Sequence, residues 1–365
     1  MRRYWIDNLR WVTVLLVLLY HVIYFYNNKG VLGGVGGFGD GPQYQDVVMY
    51  VLYPWFMPLL FLLAGISARY ALECRSGKAW FKSRTRKLLV PATIGLFVFQ
   101  WMVGYFNTHV SGTDVLATVP QPFKYIGWSL NGTGPLWFVQ LLWVLCLVLL
   151  LVKKLDGEKL WNCCGKTNIV TILLLGILFW LGIQTLIMTP TTMTPDSKTG
   201  LTSLYNLYKP FFYLVTFLLG YFVFSHDEVQ EKLQKAWIPL MACAVVAGVI
   251  LVATTFGENN TTPEYLGSPL NCLYGWLMCL AMMGWFKACF DYTGRFATYM
   301  TRSSFGIYVV HYLFIAGIGS MMKFYTELPP VAIYLILTVA VFVLSPLAYE
   351  VLRRIPIIKW CVLGE

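Results

Sequence analysis

Ten stretches of this chain are apolar for long enough to cross a bilayer. They lie near residues 9–26, 47–70, 88–106, 136–152, 168–188, 207–225, 236–255, 269–289, 303–322 and 330–352, and a helical span needs about 17–25 residues. The links between them are short and carry most of the charge. The pattern predicts an all-α, polytopic membrane bundle of about ten transmembrane helices. It reads as a single membrane domain over residues 1–365, with no linker and no internal repeat.

Polar residues that interrupt the apolar runs are the informative ones. A histidine inside a span is costly and by default marks function. His21 sits deep in the first run, and Arg10 stands at its start. Eleven residues at 3.6 per turn put the two within roughly 20° of one face, with a rise of about 16 Å. Asp7 is three residues before Arg10, close enough to pair with it. The same rise puts Asp7 about 21 Å from His21, so the imidazole needs another partner. His311 lies in the ninth run, eight residues after Arg302, which is about 12 Å of rise. That places it at a depth similar to His21. Tyr308, three residues earlier, shares its face.

The composition agrees with a membrane protein: 58% of the 365 residues are hydrophobic and 12% charged, where a soluble domain carries about 25% charged residues. The net charge of +10 does not indicate nucleic acid, because the basic residues alternate from link to link. With the N-terminus in the cytosol, the outer segments hold only Lys29, Lys124, Lys198, Lys209 and Lys323. Every other Lys and Arg falls inside, as the positive-inside rule requires. An even number of spans returns the C-terminus to the cytosol. No small-residue cleavage site follows the first run, so it is expected to stay as a span. The nine cysteines fall in spans or on the cytosolic side, where disulfides are not expected. Cys163-Cys164 has no second pair at zinc-site spacing, so no metal is expected.

The outer links differ in character. Residues 33–41 are glycine-rich but join two membrane helices, not a strand and a helix. They read as a flexible mouth loop, not a phosphate cradle. Residues 107–135 and 189–206 read as long loops rich in Thr, Pro and Gly, of a length that usually covers a site or is mobile. Asn131 and Asn259 head glycosylation sequons. Inside, Arg75 to Lys87 is the densest basic segment. Arg84 and Arg86 stand where the third helix begins, and guanidinium groups at a cytosolic mouth suit a phosphorylated ligand. Met57 to Ser67 supplies small residues for close helix contact. Trp137 reads as an interfacial anchor, His109 and His226 as solvated loop residues, and Glu350 as the partner of Arg353.

Together these stretches resemble acyltransferase family 3, membrane enzymes that O-acylate sugars and other acceptors. The resemblance rests on Asp7-Asn8-Leu9-Arg10 with His21 eleven residues on, Phe61 to Ser67, Arg84 and Arg86 with Leu88 to Pro91, Leu136-Trp137-Phe138, and Ser304 to His311. Met57 to Pro91 and Tyr349 to Pro356 are most similar to the glucans biosynthesis protein C branch. One departure is Ala64-Gly65 where many members have Ser-Gly. Ser67 follows and is given no catalytic role. The resemblance implies transfer of an acetyl or succinyl group from cytosolic acyl-CoA to a hydroxyl of a glycan or other extracytoplasmic acceptor, in the inner or plasma membrane. It implies that Arg10, Arg84 and Arg86 hold CoA phosphates and that Asp7 fixes Arg10. His21 would be a general base or brief acyl carrier, with His311 and Tyr308 in the same site. Tyr308 or Trp137 would serve the oxyanion. A transporter or exporter is the rival reading, since polar residues in spans also mark transport paths. Its usual sign, internal repeats with paired broken helices, is missing from this sequence.

Overall fold

The computed structural model describes residues 3–29, 34–39, 43–110, 116, 118–183 and 209–365. Among these residues all regular structure is helical. Eight helices are long and apolar enough to cross a membrane: α1 (Tyr4–Phe25), α2 (Tyr44–Cys74), α3 (Gly77–Val110), α5 (Gly134–Asp156), α9 (Asp227–Thr255), α11 (Pro269–Cys289), α12 (Arg295–Tyr325) and α13 (Pro330–Leu352). The fifth and sixth expected spans are shorter apolar helices, α7 (Ile169–Ile183) and α8 (Pro210–Phe222). The rest of their expected length borders on 184–208, outside the described residues. The remaining helices are α4 (Gln121–Asn131), α6 (Lys159–Cys164), α10 (Pro263–Leu266) and α14 (Pro356–Leu363).

Two expectations about the links change. Residues 107–135 are not one loop: α4 occupies 121–131. Its sequence is too amphipathic and too short to show as a span, and it begins with Pro122 in the first turn, where the missing N–H costs nothing. Helix α3 also starts earlier than its apolar run, at Gly77, so Arg84 and Arg86 sit two turns inside a helix. The helix widens there into a π turn over Thr85–Leu89, and again over Leu96–Gln100. Pro91 follows the first π turn and lacks the N–H that an unbroken α ladder would use. The Gln140 side chain donates to the Ala92 carbonyl at 3.1 Å.

Chain contacts divide the molecule into two compact units. The first comprises Met1–Thr13, Tyr50–Trp80 and Leu145–Thr298; the second comprises Val14–Met49, Phe81–Val144 and Tyr299–Glu365. In the first unit α2 packs on α8, and α9 on α11. Helix α2 breaks at residues 53–55 around Pro54. The Val51 carbonyl left there accepts from the Trp55 indole at 2.6 Å and from the Tyr274 hydroxyl at 2.7 Å. Polar groups freed at membrane depth are thereby paired within the protein, as the bilayer requires. In the second unit α3 lies against α4, and α14 against α3.

The small residues of Met57 to Ser67 do make a close helix contact. A Cβ on Gly65 would stand 2.1 Å from the Phe217 carbonyl oxygen, and one on Gly220 2.2 Å from that of Leu62. Both obstacles are backbone, so neither can swing aside. Gly65→Val is therefore expected to cost about 1–3 kcal/mol of overpacking, read as a lower thermal midpoint in detergent. Gly294→Ala, where an added Cβ meets nothing within 4 Å, should leave the midpoint in place. Equal midpoints for both variants would refute the contact.

Candidate functional site

Helix α1 supplies the two residues that the sequence singles out, and each has its own surroundings. In the first unit Arg10 reaches Asp7 on its own helix, Nη1 donating to Oδ1 at 3.2 Å. Its Nη2 donates to Ser67 Oγ at 2.5 Å, and Ser67 Oγ donates in turn to the Leu63 carbonyl at 2.7 Å. Asp7 and Ser67 thus hold one guanidinium from two helices. The Arg10 side chain keeps 37% of its exposure, which leaves a cation held in place yet open on one side. The start of α1 is itself pinned. Asn8 Nδ2 donates to the carbonyls of Phe290 (2.7 Å) and Tyr292 (2.8 Å), and the Trp5 N–H to Asp291 Oδ1 at 3.0 Å. Ser67 and Asn8 carry no signal in the sequence as site residues, since Ser in a span more often bonds only its own helix.

In the second unit His21 meets His311. Their Nδ1 and Nε2 atoms are 3.0 Å apart, and the rings lie 5.1 Å centre to centre. The similar depth expected from Arg302 is a direct hydrogen bond. His311 is wholly buried, and its Nδ1 lies 2.6 Å from the Tyr308 carbonyl. A carbonyl has no proton to give, so His311 Nδ1 must carry one. A neutral His311 then has only a lone pair at Nε2, and His21 Nδ1 must donate to it. His21 is left with its lone pair on Nε2. Tyr20, Tyr24 and Tyr312 surround the ring, Tyr312 edge-on at 5.3 Å.

Tyr308 is close to the pair, its ring centre 5.7 Å from that of His311. Its hydroxyl is not turned to the histidines, however: it donates to the Pro135 carbonyl on α5. Its proton is committed to that carbonyl, which ties the residue just before Leu136-Trp137-Phe138 to the helix turn Ser304 to His311. Gln100, also wholly buried, donates to the Val309 carbonyl at 2.9 Å. This fixes the backbone two residues before His311. Trp137 is half-buried at the start of α5.

Arg84 is half-buried and Arg86 exposed, one on each side of the start of the first π turn of α3. Glu350 pairs with Arg353 at 2.6 Å, as the spacing predicts. His226 is a correction. It is buried, stacks on Trp161 at 4.0 Å between ring centres and bonds the Trp161 carbonyl through Nε2 at 2.8 Å. The Arg69 guanidinium lies over the same indole at 3.9 Å. Trp161 comes from α6, a helix too short to be seen as apolar periodicity, so no local pattern could have shown the burial of His226. His109 is exposed as expected, but on the last turn of α3, where it bonds the Tyr105 carbonyl at 2.8 Å. Among the described residues no three His, Cys, Asp or Glu side chains gather where they could hold a metal.

The proton assignment has a spectroscopic consequence. In protein with ¹⁵N-labelled histidine, His21 and His311 should both appear as neutral rings protonated at Nδ1. His311→Ala should release His21 from that tautomer. A wild-type His21 protonated at Nε2 would overturn the assignment.

No curated protein and no solved structure matches the chain. A family model does: the acyltransferase 3 model, described as an acyltransferase domain, matches residues 3–350. That covers nearly the whole chain, including Arg10, both histidines and every helix from α1 to α12. With a helical membrane architecture to match, this protein belongs to the acyltransferase 3 family and is a membrane acyltransferase.

Proposed function

We propose that this enzyme moves an acetyl or succinyl group from cytosolic acyl-CoA to a hydroxyl of a glycan or other extracytoplasmic acceptor, in the inner or plasma membrane. We also propose that it belongs to the glucans biosynthesis protein C branch, on the likeness of Met57 to Pro91 and Tyr349 to Pro356. The observation that carries the reading is the proton order of the histidine pair, which leaves one lone pair, on His21 Nε2, facing away from His311.

In the proposed reaction His21 Nε2 takes the proton of the acceptor hydroxyl as that oxygen attacks the thioester carbonyl. The C–O bond forms, the C–S bond breaks, and the departing sulfur receives the proton from His21. Nothing is left over and the base is restored. His311 acts through His21: its Nε2 accepts from Nδ1 and holds the tautomer in which Nε2 is basic. Tyr308 is a positioning residue, its carbonyl setting the His311 proton and its hydroxyl tying α12 to Pro135.

The donor needs cations for its phosphates. Arg10 fits, being fixed by Asp7 and Ser67 and partly exposed. Asp7 orients that guanidinium and takes no part in the chemistry. Arg84 and Arg86 offer the same planar groups, suited to bidentate phosphate contact. Along α1 the rise from Arg10 to His21 is about 16 Å, the order of length of a pantetheine arm.

Acetyl- or succinyl-CoA should protect the detergent-purified protein against heating, and Arg10→Ala should abolish the shift. Ser67→Ala should raise the KM for acyl-CoA with little change in kcat, because it loosens the cation and leaves the base alone. His21→Ala should lower turnover by about 10²–10⁴-fold, the usual worth of a general base, with the CoA shift retained. His311→Ala should lower it by about 10²-fold, the cost of a misplaced catalytic group. His311→Gln, whose carboxamide oxygen can accept the same N–H, should recover part of the loss. No protection by either acyl-CoA, or full turnover without His21, would refute the proposal.

A further inference from the structure

Beyond His21, at the end of α1 opposite Arg10, the second unit holds a corner whose hydrogen bonds do not close. Gln43 and Asp46 are both buried, Asp46 completely. The Gln43 carboxamide donates one N–H to the Tyr26 carbonyl at 3.2 Å and the other to Asp46 Oδ1 at 3.3 Å. Tyr334 has one hydroxyl proton for two acceptors, the Tyr26 carbonyl at 2.5 Å and Gln43 Oε1 at 3.1 Å. Those three protons are then used. Asp46 Oδ2 is buried with no hydrogen-bond partner, and so is the amide nitrogen of the adjacent Gln45. Gln45 and Asp46 both lie close enough to the Tyr334 hydroxyl to act on it. Lys29 is near enough for its charge to act on Asp46.

A buried carboxylate oxygen without a proton donor is expensive to keep. One chemical group answers both orphans at once. A hydroxyl donates one hydrogen bond and accepts others, so it can give its proton to Asp46 Oδ2 and take one from Gln45. The surroundings suit a sugar. Phe38 from the glycine-rich segment stacks on Tyr26 at 4.4 Å and meets Tyr334 edge-on at 5.2 Å. Gly37 packs so closely on Gln43 and Asn28 that a Cβ there would lie 2.4 Å from Gln43 Oε1. Asn28 holds this segment by bonds to Gly37 and Gly39. Residues 34–39 are therefore a built wall of the corner, where the sequence suggests only a flexible loop. Tyr26 is five residues after His21, about 7.5 Å of rise along α1.

We infer that Asp46, with Gln43, Gln45 and Tyr334, is the acceptor subsite of this enzyme, and that it takes a second hydroxyl of a polyhydroxylated acceptor while the reacting hydroxyl meets His21. This rests on the acyltransfer proposed above and adds the residues that hold the acceptor, and with them a requirement for a polyol over a simple alcohol. The subsite contributes binding and orientation; the bonds made and broken remain those at His21.

The test uses the full-length protein in detergent with acetyl-CoA as donor. The acceptors are methyl glucoside, its monodeoxy analogues and ethanol, with CoA release and acylated product both measured. Wild type is expected to acylate the glycoside, to prefer it to ethanol, and to lose rate with at least one deoxy analogue. Asp46→Asn keeps an oxygen for Gln43 but weakens the acceptor for the sugar hydroxyl. Its KM for the glycoside should rise by about tenfold to a hundredfold, the range for a hydrogen bond to a charged group, with the KM for acetyl-CoA moving far less. The discrimination against that deoxy analogue should shrink in parallel. Tyr334→Phe gives a second variant that does not touch the carboxylate, and should raise the same KM more modestly. Equal KM values in wild type and Asp46→Asn, undiminished discrimination, or a preference of wild type for ethanol would each overturn the inference while the acyltransfer reading stands. Absence of CoA release from wild type with every acceptor would overturn both.

Discussion

Two neutral imidazoles in contact share a single proton between them, and whatever fixes that proton fixes the chemistry of both rings. Here the fixing group is a backbone carbonyl. Tyr308 presents its oxygen to His311 Nδ1, and from that one acceptor the order of donors runs outward through His311 Nε2 to His21 Nδ1. In water the order would be worth little, because a ring can turn and trade its partners for solvent. Among buried aromatic side chains such a trade leaves a polar atom unpaired, at roughly 1–3 kcal/mol. The surroundings of His311 therefore do more than fill space. Gln100 holds the Val309 carbonyl and Pro135 holds the Tyr308 hydroxyl, and both restrain the turn of α12 that carries the ring.

The other end of α1 solves a different problem. A guanidinium stays charged in any environment, so it must be held without being neutralised if it is to receive an anionic ligand. A single close carboxylate would satisfy Arg10 and compete with a phosphate. Asp7 is at 3.2 Å, and a neutral oxygen, Ser67 Oγ, supplies the shorter contact. Ser67 can do this because its own proton goes to Leu63 on the same helix, which turns its lone pairs outward. Position is thus set from two helices, by the Asp7 carboxylate and the Ser67 hydroxyl together.

Much of this was legible in the chain itself. Among the described residues hydrophobic length locates the eight helices of membrane length, because a bilayer imposes that length whatever the sequence between, and it also marks the shorter apolar α7 and α8. Helical spacing alone pairs Asp7 with Arg10 and Glu350 with Arg353. Depth counted from Arg302 brings His311 level with His21. The remainder was hidden for a common reason: its acceptors are backbone carbonyls or distant side chains. Every residue has a carbonyl, so the sequence cannot mark that of Tyr308, Pro135 or Val309 as special. Ser67 and Gln100 are ordinary polar residues in apolar runs until the helix opposite is known. His226 was misread because its neighbours, Trp161 and Arg69 beyond it, come from α6 and α2. Helix α4 escaped because it is neither long nor uniformly apolar.

The same distinction separates the two kinds of buried polar group in the second unit. At the histidine pair every proton has a destination, and the one remaining lone pair points away from the bond. At Asp46 the network does not close: the three protons of Gln43 and Tyr334 are spent on Asp46 Oδ1, Gln43 Oε1 and the Tyr26 carbonyl, and Asp46 Oδ2 and the Gln45 amide nitrogen are left without partners. A structural network tends toward full satisfaction, since each orphan lowers stability and an apolar residue would cost less. An orphaned carboxylate retained beside aromatic rings, one of them Tyr26 just past the end of the helix that carries His21, is on the proposed reading a group whose partner arrives with the substrate. The two sites then divide the work. In the reaction proposed, the closed network sets where the reacting proton goes, and the open one selects which hydroxyl is presented to it.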